Sequence, residues 1–159
     1  MRKLLIATFL VLLIMVGTAT GETILCKPND NVNARRSPST SAVIEGRFEC
    51  GDEIETDGKV QTDNRGRKWV HVIGCKFEVS DVWVCASYVQ DSDVTVETCN
   101  AYVSAKGRTA LRKVPNGKRI KWLDNGKELT VLAYSDEWAL TTIGYVSMEC
   151  LDFYGGEMK

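Results

Sequence analysis

Hydrophobic and polar residues alternate in short stretches along most of the chain. Residues 128–132, Glu-Leu-Thr-Val-Leu, alternate with a period of two, and Asn125-Gly126 before them supplies the positive φ angles of a tight hairpin turn. Ile54 lies between two glutamates in the same way, shortly after Gly51. Because no window shows a sustained helical period, the pattern predicts an all-β fold.

The N-terminus has a different pattern. Met1-Arg2-Lys3 precedes a thirteen-residue, largely apolar run from Leu4 to Val16, and small residues follow up to Gly21. This order is typical of a secretory signal peptide, predicted here over residues 1–21. The run is shorter than the roughly 20 residues that span a bilayer. We therefore expect an exported protein, secreted or held at the cell surface, with no stable membrane span in the mature chain.

The rest of the chain repeats itself. Residues 34–38, ARRSP, are matched by 111–115, LRKVP, and residues 48–56, FECGDEIET, by 123–131, LDNGKELTV. Each copy continues to a tryptophan and then to an aromatic-valine step, Trp83-Val84 or Tyr145-Val146. Self-similarity at this spacing predicts two related units, over residues 22–90 and 94–154, joined by a short polar linker.

Both units resemble the bacterial SH3-type domain, whose pattern begins with an Asn-x-Arg step and a Pro/Ser loop. In unit one the matching residues are Val32-Asn33-Ala34-Arg35, Pro38, Ile44, Gly46, Phe48, Gly51, Ile54, Trp69, Trp83-Val84 and Tyr88-Val89. In unit two they are Leu111-Arg112, Pro115, Ile120, Leu123, Gly126, Leu129, Val131, Trp138, Gly144-Tyr145-Val146 and Leu151. The resemblance implies two small SH3-like β-barrels in tandem.

Six cysteines lie in the exported part, and an even number in an oxidising compartment is typical of a disulfide framework. Fifteen connectivities are possible. Alignment of the repeats favours start-to-end bridges, Cys26–Cys85 and Cys99–Cys150. The two remaining cysteines occur only in unit one, so Cys50–Cys75 is the simplest third bridge.

Catalytic and metal chemistry have little support in the sequence. A zinc site could draw on His71, Cys75 and Cys85, but export and the lack of a C-x-x-C pair disfavour it. His71 is the only histidine and lies in a strand-like run. No Ser/His/Asp order, paired-carboxylate signature or phosphate-binding glycine loop is recognisable. We predict a non-enzymatic protein without metal or cofactor.

Charge is distributed unevenly. Removal of residues 1–21 leaves 18 basic and 21 acidic side chains, which argues against a general nucleic-acid binder. The segment from Lys106 to Lys121 nevertheless contains seven basic residues and no acid. This basic run is either a solvated face or a surface that attracts an anionic polymer.

In the family that the chain resembles, such domains hold exported enzymes against cell-wall peptide or glycan, but we expect no fused catalytic domain in this protein. The leading hypothesis is a monomeric exported protein that binds cell-wall peptide or glycan, or another surface polymer. The alternatives are an interaction or inhibitor module that docks an exported enzyme or receptor, and a subunit of a wall hydrolase. The candidate ligand-binding residues, of which at least half of the aromatic ones are expected to be core, are Trp69, Trp83, Tyr88, Trp138, Tyr145, Arg112, Lys113, Lys118 and Arg119.

Overall fold

The computed structural model describes residues 21–75 and 81–154. Within these ranges the chain forms fourteen β-strands and two short 3-10 helices, Ala86–Tyr88 and Met148–Cys150. The predicted all-β fold is confirmed. The predicted signal peptide lies outside the described residues except for Gly21, which begins the first strand.

The strands form two seven-stranded antiparallel sheets, one from each half of the chain. The strands of the first sheet are β1 (Gly21–Ile24), β2 (Val32–Arg35), β3 (Ile44–Phe48), β4 (Glu53–Thr62), β5 (Lys68–Gly74), β6 (Val82–Cys85) and β7 (Val89–Gln90). Those of the second are β8 (Cys99–Val103), β9 (Arg108–Arg112), β10 (Arg119–Asp124), β11 (Glu128–Tyr134), β12 (Trp138–Thr141), β13 (Gly144–Ser147) and β14 (Leu151–Phe153).

The two sheets have the same topology. The spatial order is β3-β2-β6-β5-β4-β1-β7 in the first and β10-β9-β13-β12-β11-β8-β14 in the second. Each strand of the second sheet therefore has the same place as the strand of the first sheet whose number is lower by seven, so that β8 corresponds to β1 and β14 to β7. The edge strands of a sheet do not pair with each other among the described residues, so neither sheet closes. The closed barrels predicted from the sequence are not confirmed.

Local sequence explains the strands and turns. In β11 the side chains of Leu129, Val131 and Ala133 are buried and those between them are more exposed, as the period of two predicts. Gly126 has a φ angle of +77° in the turn before this strand. Gly51 has a φ angle of +87° at the corresponding place before β4, a backbone conformation that glycine adopts at no steric cost.

Each sheet encloses its own apolar core. Phe48, Ile24 and Val72 are buried in the first, and Leu111 and Val131 in the second. A third cluster joins residues of both units: Leu25 from the first packs with Ala133, Trp138, Leu140 and Tyr145 from the second. None of the described segments is a helix long and apolar enough to cross a bilayer.

Candidate functional site: the groove between the two units

A groove of about 620 Å³ lies where the two units meet. Unit one contributes the loop after β1, strand β2, the start of β5 and the Ala86–Tyr88 helix. Unit two contributes the loop after β9 and the hairpin between β12 and β13. Because both walls are needed to form it, the groove is a feature of the pair of units and not of either one alone.

Asp63 organises the wall that unit one presents. Its Oδ1 accepts hydrogen bonds from the backbone N–H groups of Arg65 and Arg67 at 2.9 and 3.0 Å. Its Oδ2 accepts from the Trp69 indole at 3.2 Å and faces Arg67 Nε, also at 3.2 Å. Burial alone would raise the pKa of Asp63, but the backbone N–H groups and the indole hold it below its usual value. This carboxylate thus fixes both a cation and an aromatic ring at the groove.

The Arg67 guanidinium also reaches the loop between β2 and β3. Its Nη2 donates a hydrogen bond to Thr40 Oγ1 at 3.2 Å. Arg35 fixes the same loop, since its Nη1 donates to the Ala42 carbonyl at 2.7 Å. Both arginines line the groove, so the cations on this side are held by bonds to the scaffold.

The wall of unit two depends on a close backbone approach. Gly144 begins β13 with a φ angle of +144°, and a Cβ added there would lie 2.7 Å from the Arg112 carbonyl oxygen. The next residue, Tyr145, donates its hydroxyl to the Leu25 carbonyl of unit one at 3.4 Å. Burial raises the pKa of this phenol, which remains protonated as the donor. Tyr145 therefore connects the groove wall to the other unit.

The groove has an excess of positive charge. Four basic side chains, Lys27, Arg35, Arg67 and Lys113, line it together with one acidic side chain, Asp30. Lys27 and Lys113 form no ion pair with any residue in the described ranges. The half-buried Tyr88 lies beside these cations, together with the nearly enclosed rings of Trp69 and Tyr145. This combination of donors and rings suits an anionic or polar polymer segment.

Most of the predicted aromatic ligand residues are packed inside the protein. The exposed fraction is 2% for Trp69, 9% for Trp83, 8% for Trp138 and 5% for Tyr145, whereas Tyr88 is half-buried. The alternative that many of these rings belong to the core is confirmed. Trp83 lies outside the groove with its ring against His71, and Trp138 belongs to the cluster between the units.

The predicted basic residues do not act as one group. Arg112 Nη1 donates to the Gly117 carbonyl at 2.7 Å, so this guanidinium holds a loop just as Arg35 does in unit one. Lys113 lines the groove. Lys118 and Arg119 are exposed outside it, just before β10 and at its first residue. The structure therefore brings together Trp69, Tyr88, Tyr145 and Lys113 of the predicted set.

Two kinds of residue escaped the sequence analysis. The groove cations Lys27, Arg35 and Arg67 were not predicted, although the repeat aligns Arg35 with Arg112. Trp122 on edge strand β10 is 48% exposed, and the Arg119 guanidinium lies 4.4 Å from the centre of its ring. The sequence signal was the position of Trp122 directly after the basic run, which ends at Lys121.

His71 is enclosed and not on an open strand face. Its Nδ1 lies 3.0 Å from Asp57 Oδ2 and its Nε2 lies 3.5 Å from Asp81 Oδ1. The ring centre is 4.8 Å from that of Trp83. No group of three metal-binding side chains that could hold an ion is present among the described residues.

The predicted disulfide bridges are not confirmed. Cys26, Cys50, Cys85, Cys99 and Cys150 are all thiols. Cys99 pairs with Val131 at one end of β8, whereas the Cys150 carbonyl accepts from Ser104 just beyond the other end. Five residues of strand span about 16 Å, well above the Cα separation of a disulfide. The connectivity proposed from the sequence remains a prediction that this arrangement does not support.

No protein-family model matches the chain, and no curated protein matches it either. Among solved structures, the chain is similar to the structure of NlpC2 from Trichomonas vaginalis, with a TM-score of 0.34 and 16% sequence identity. The match covers 88% of this chain and 50% of that one, so the chain spans about half the length of that protein. A similarity of this degree assigns neither fold nor function.

Proposed function

We propose that the protein is an exported, non-catalytic binding protein whose two SH3-like units hold an anionic segment of cell-wall peptide or glycan, or of another surface polymer, in the groove between them. One observation carries this proposal: both units contribute cations and aromatic rings to the same groove. The identical strand order of the two sheets supports two related units. Their SH3-like character rests on the sequence resemblance.

The positions of the cations favour binding over catalysis. Arg35 and Arg67 are fixed by hydrogen bonds to the β2–β3 loop, so little side-chain freedom is lost when a ligand binds. Lys27 and Lys113 add charge from opposite walls. The single histidine lies apart from the groove, between Asp57 and Asp81. These features suit recognition of a ligand without a chemical step.

The test is co-sedimentation of the protein with purified cell walls, prepared with their anionic polymers and after removal of those polymers. Reversal of two groove charges, Lys27→Glu with Lys113→Glu, should weaken retention about tenfold or more. Retention by the wild type should also fall as salt rises, because exposed charges are screened over about 8 Å at physiological ionic strength.

The matched control reverses Lys106 and Lys121, which are exposed and outside the groove. It should leave retention nearly unchanged. If the control variant loses binding and the groove variant keeps it, the exposed basic run is the binding surface. If the wild type is not retained on either wall preparation, the proposed ligand class is wrong. Release of soluble wall fragments would indicate a hydrolase subunit instead.

A protein partner is the second candidate, because β10 is an edge strand with apolar side chains in solvent. Ile120 and Trp122 are both about half exposed there, and an edge strand leaves backbone groups unpaired. Co-purification of one exported protein with the wild type, and its loss with Ile120→Thr/Trp122→Thr, would favour this function. If the groove variant loses the co-purifying protein and the β10 variant keeps it, β10 is not the surface that binds the partner.

A further inference from the structure

Cys26 and Cys50 meet where the end of β1 passes the turn between β3 and β4. The Ile24 N–H donates to the Asp52 carbonyl at 2.9 Å, and the Gly51 N–H donates to the Ile24 carbonyl at 2.8 Å. Ile24 is thus opposed by two consecutive residues, Gly51 and Asp52, which is the pattern of a β-bulge. Gly51 occupies the position of the bulge that has a positive φ angle. These bonds hold the two segments side by side, and Cys50 packs against the core cluster that contains Cys26. The Cys26 thiol itself donates a hydrogen bond to the Asp30 carbonyl at 3.8 Å.

The two thiols differ in burial. Cys26 is 3% exposed and belongs to the core of unit one. Cys50 is partly exposed and packs against both that core and the cluster between the units. Cys26 also lines the groove, on the side of Tyr88. A bond between the two sulfurs would therefore be made beside the candidate binding site.

The interaction between the two side chains also gives the Cys26 and Cys50 thiols different pKa values. Interaction with the Cys26 side chain lowers the pKa of Cys50 to about 7. The same contact and burial raise the pKa of Cys26. Cys50 is thus ionised at a lower pH than an ordinary thiol, and the thiolate is the form that attacks a disulfide. Cys50 has the properties of an attacking thiol, and Cys26 those of a buried resolving thiol.

We propose that Cys26 and Cys50 form a disulfide by thiol–disulfide exchange with an external disulfide, and that this is the bridge of Cys26 in the exported protein. The Cys50 thiolate attacks one sulfur of the external disulfide, whose S–S bond breaks and releases one thiolate. Cys26 then loses its proton to water, and its thiolate attacks Cys50 Sγ and releases the second external thiolate. Two protein thiols are oxidised and one external disulfide is reduced to two thiols.

The test uses the full chain, reduced and then incubated with glutathione disulfide. Trypsin cleaves after Arg35, Arg47 and Lys59, so Cys26 and Cys50 fall on different peptides and the bridge is visible without reduction. The expected product is one peptide pair, Cys26 with Cys50, two hydrogens lighter than the reduced peptides. A map that pairs Cys26 with Cys85, or Cys50 with Cys75, would overturn the proposal.

Single variants test the order of attack. Cys26→Ser should accumulate glutathione on Cys50, whereas Cys50→Ser should leave residue 26 unmodified while the protein is folded. Cys99→Ser is the matched control and should form the Cys26–Cys50 bridge at the wild-type rate. The initial rate should rise about tenfold between pH 6 and pH 8 and level off above, as expected for a thiol with a pKa near 7. A rate that keeps rising tenfold per pH unit up to pH 9, or glutathione trapped on Cys26 in Cys50→Ser, would assign the attack to another thiol.

Discussion

The Ser135 hydroxyl donates a hydrogen bond to Gln90 Oε1 over 3.1 Å, and this bond crosses from one unit to the other with both side chains buried. The Gln90 amide donates its Nε2 to the Val89 carbonyl at 2.9 Å, and Ser135 Oγ accepts from the Trp138 N–H at 3.2 Å. Both side chains thus have their polar groups paired without water. Since buried polar groups are costly when unpaired, this bond favours one orientation of the two units.

Replacement of Gln90 by methionine should lower the free energy of unfolding by about 1 kcal/mol, because the buried Ser135 hydroxyl would lose its shorter acceptor and keep only the Trp138 carbonyl at 3.4 Å. The measurement is urea denaturation followed by tryptophan fluorescence. Gln61→Met is the matched control, since Gln61 is exposed on β4 and the change should be nearly neutral. Equal midpoints for the two variants would show that the bond between the units does not contribute to stability.

Asp63 offers a second test, of the turn that positions Arg67 and Trp69. Asp63→Ala removes every side-chain acceptor at this position and should lower the thermal midpoint more than Asp63→Asn. Asparagine keeps an oxygen for the N–H groups of Arg65 and Arg67 but loses the charge that faces the Arg67 guanidinium.

Circular dichroism at the strand minimum measures both midpoints. Asp124→Ala is the control, because its carboxylate pairs with Arg108 at an exposed site and such pairs contribute little. If alanine and asparagine at position 63 cost the same, the negative charge and not the turn is what matters there.

Local chemistry explains why the fold was predictable. The alternation of residues 128–132 and the positive φ angles at Gly51 and Gly126 are properties of short segments, and the structure has them where the sequence indicated. The repeat predicted two equivalent units, and the equivalent strand orders follow from it. Whether a sheet closes depends on how far its edge strands curl towards each other, which no local pattern specifies.

The site was less predictable because exposure depends on tertiary packing. Trp69 and Trp138 belong to a residue type that is common in ligand-binding sites. In the structure, however, both side chains are buried. Lys27 and Lys113 meet at one groove only because Leu25 and Tyr145 join the two units. The predicted pairing of Cys99 with Cys150 relied on their places in the repeat, but strand β8 separates them.

Arg112 and Lys113 are neighbours in the basic run, and the structure predicts different roles for them. Arg112→Ala should lower stability by roughly 1–3 kcal/mol, because it removes a charged donor from the Gly117 carbonyl at 2.7 Å. Lys113→Gln should leave stability unchanged and weaken retention on cell walls, since Lys113 lines the groove.

The measurement pairs urea denaturation with co-sedimentation for each variant. Arg35→Ala is the matched comparison, because it removes the equivalent bond to Ala42 in unit one and should cost a similar amount. A loss of wall binding with unchanged stability in Arg112→Ala would mean that this guanidinium contacts the ligand after all.

Trp122 provides an optical test of which surface the ligand covers. It is 48% exposed, whereas the other three tryptophans are at most 9% exposed, so acrylamide should quench mainly its emission. Trp122→Phe should therefore leave a protein whose fluorescence is blue-shifted and resists quenching, and Trp69→Phe should keep the quenchable component. If the polymer binds in the groove, its addition should not protect the Trp122 emission from acrylamide. Protection of that emission by purified wall polymer, at the concentration that gives half-maximal retention, would instead place the ligand on β10 beside Arg119.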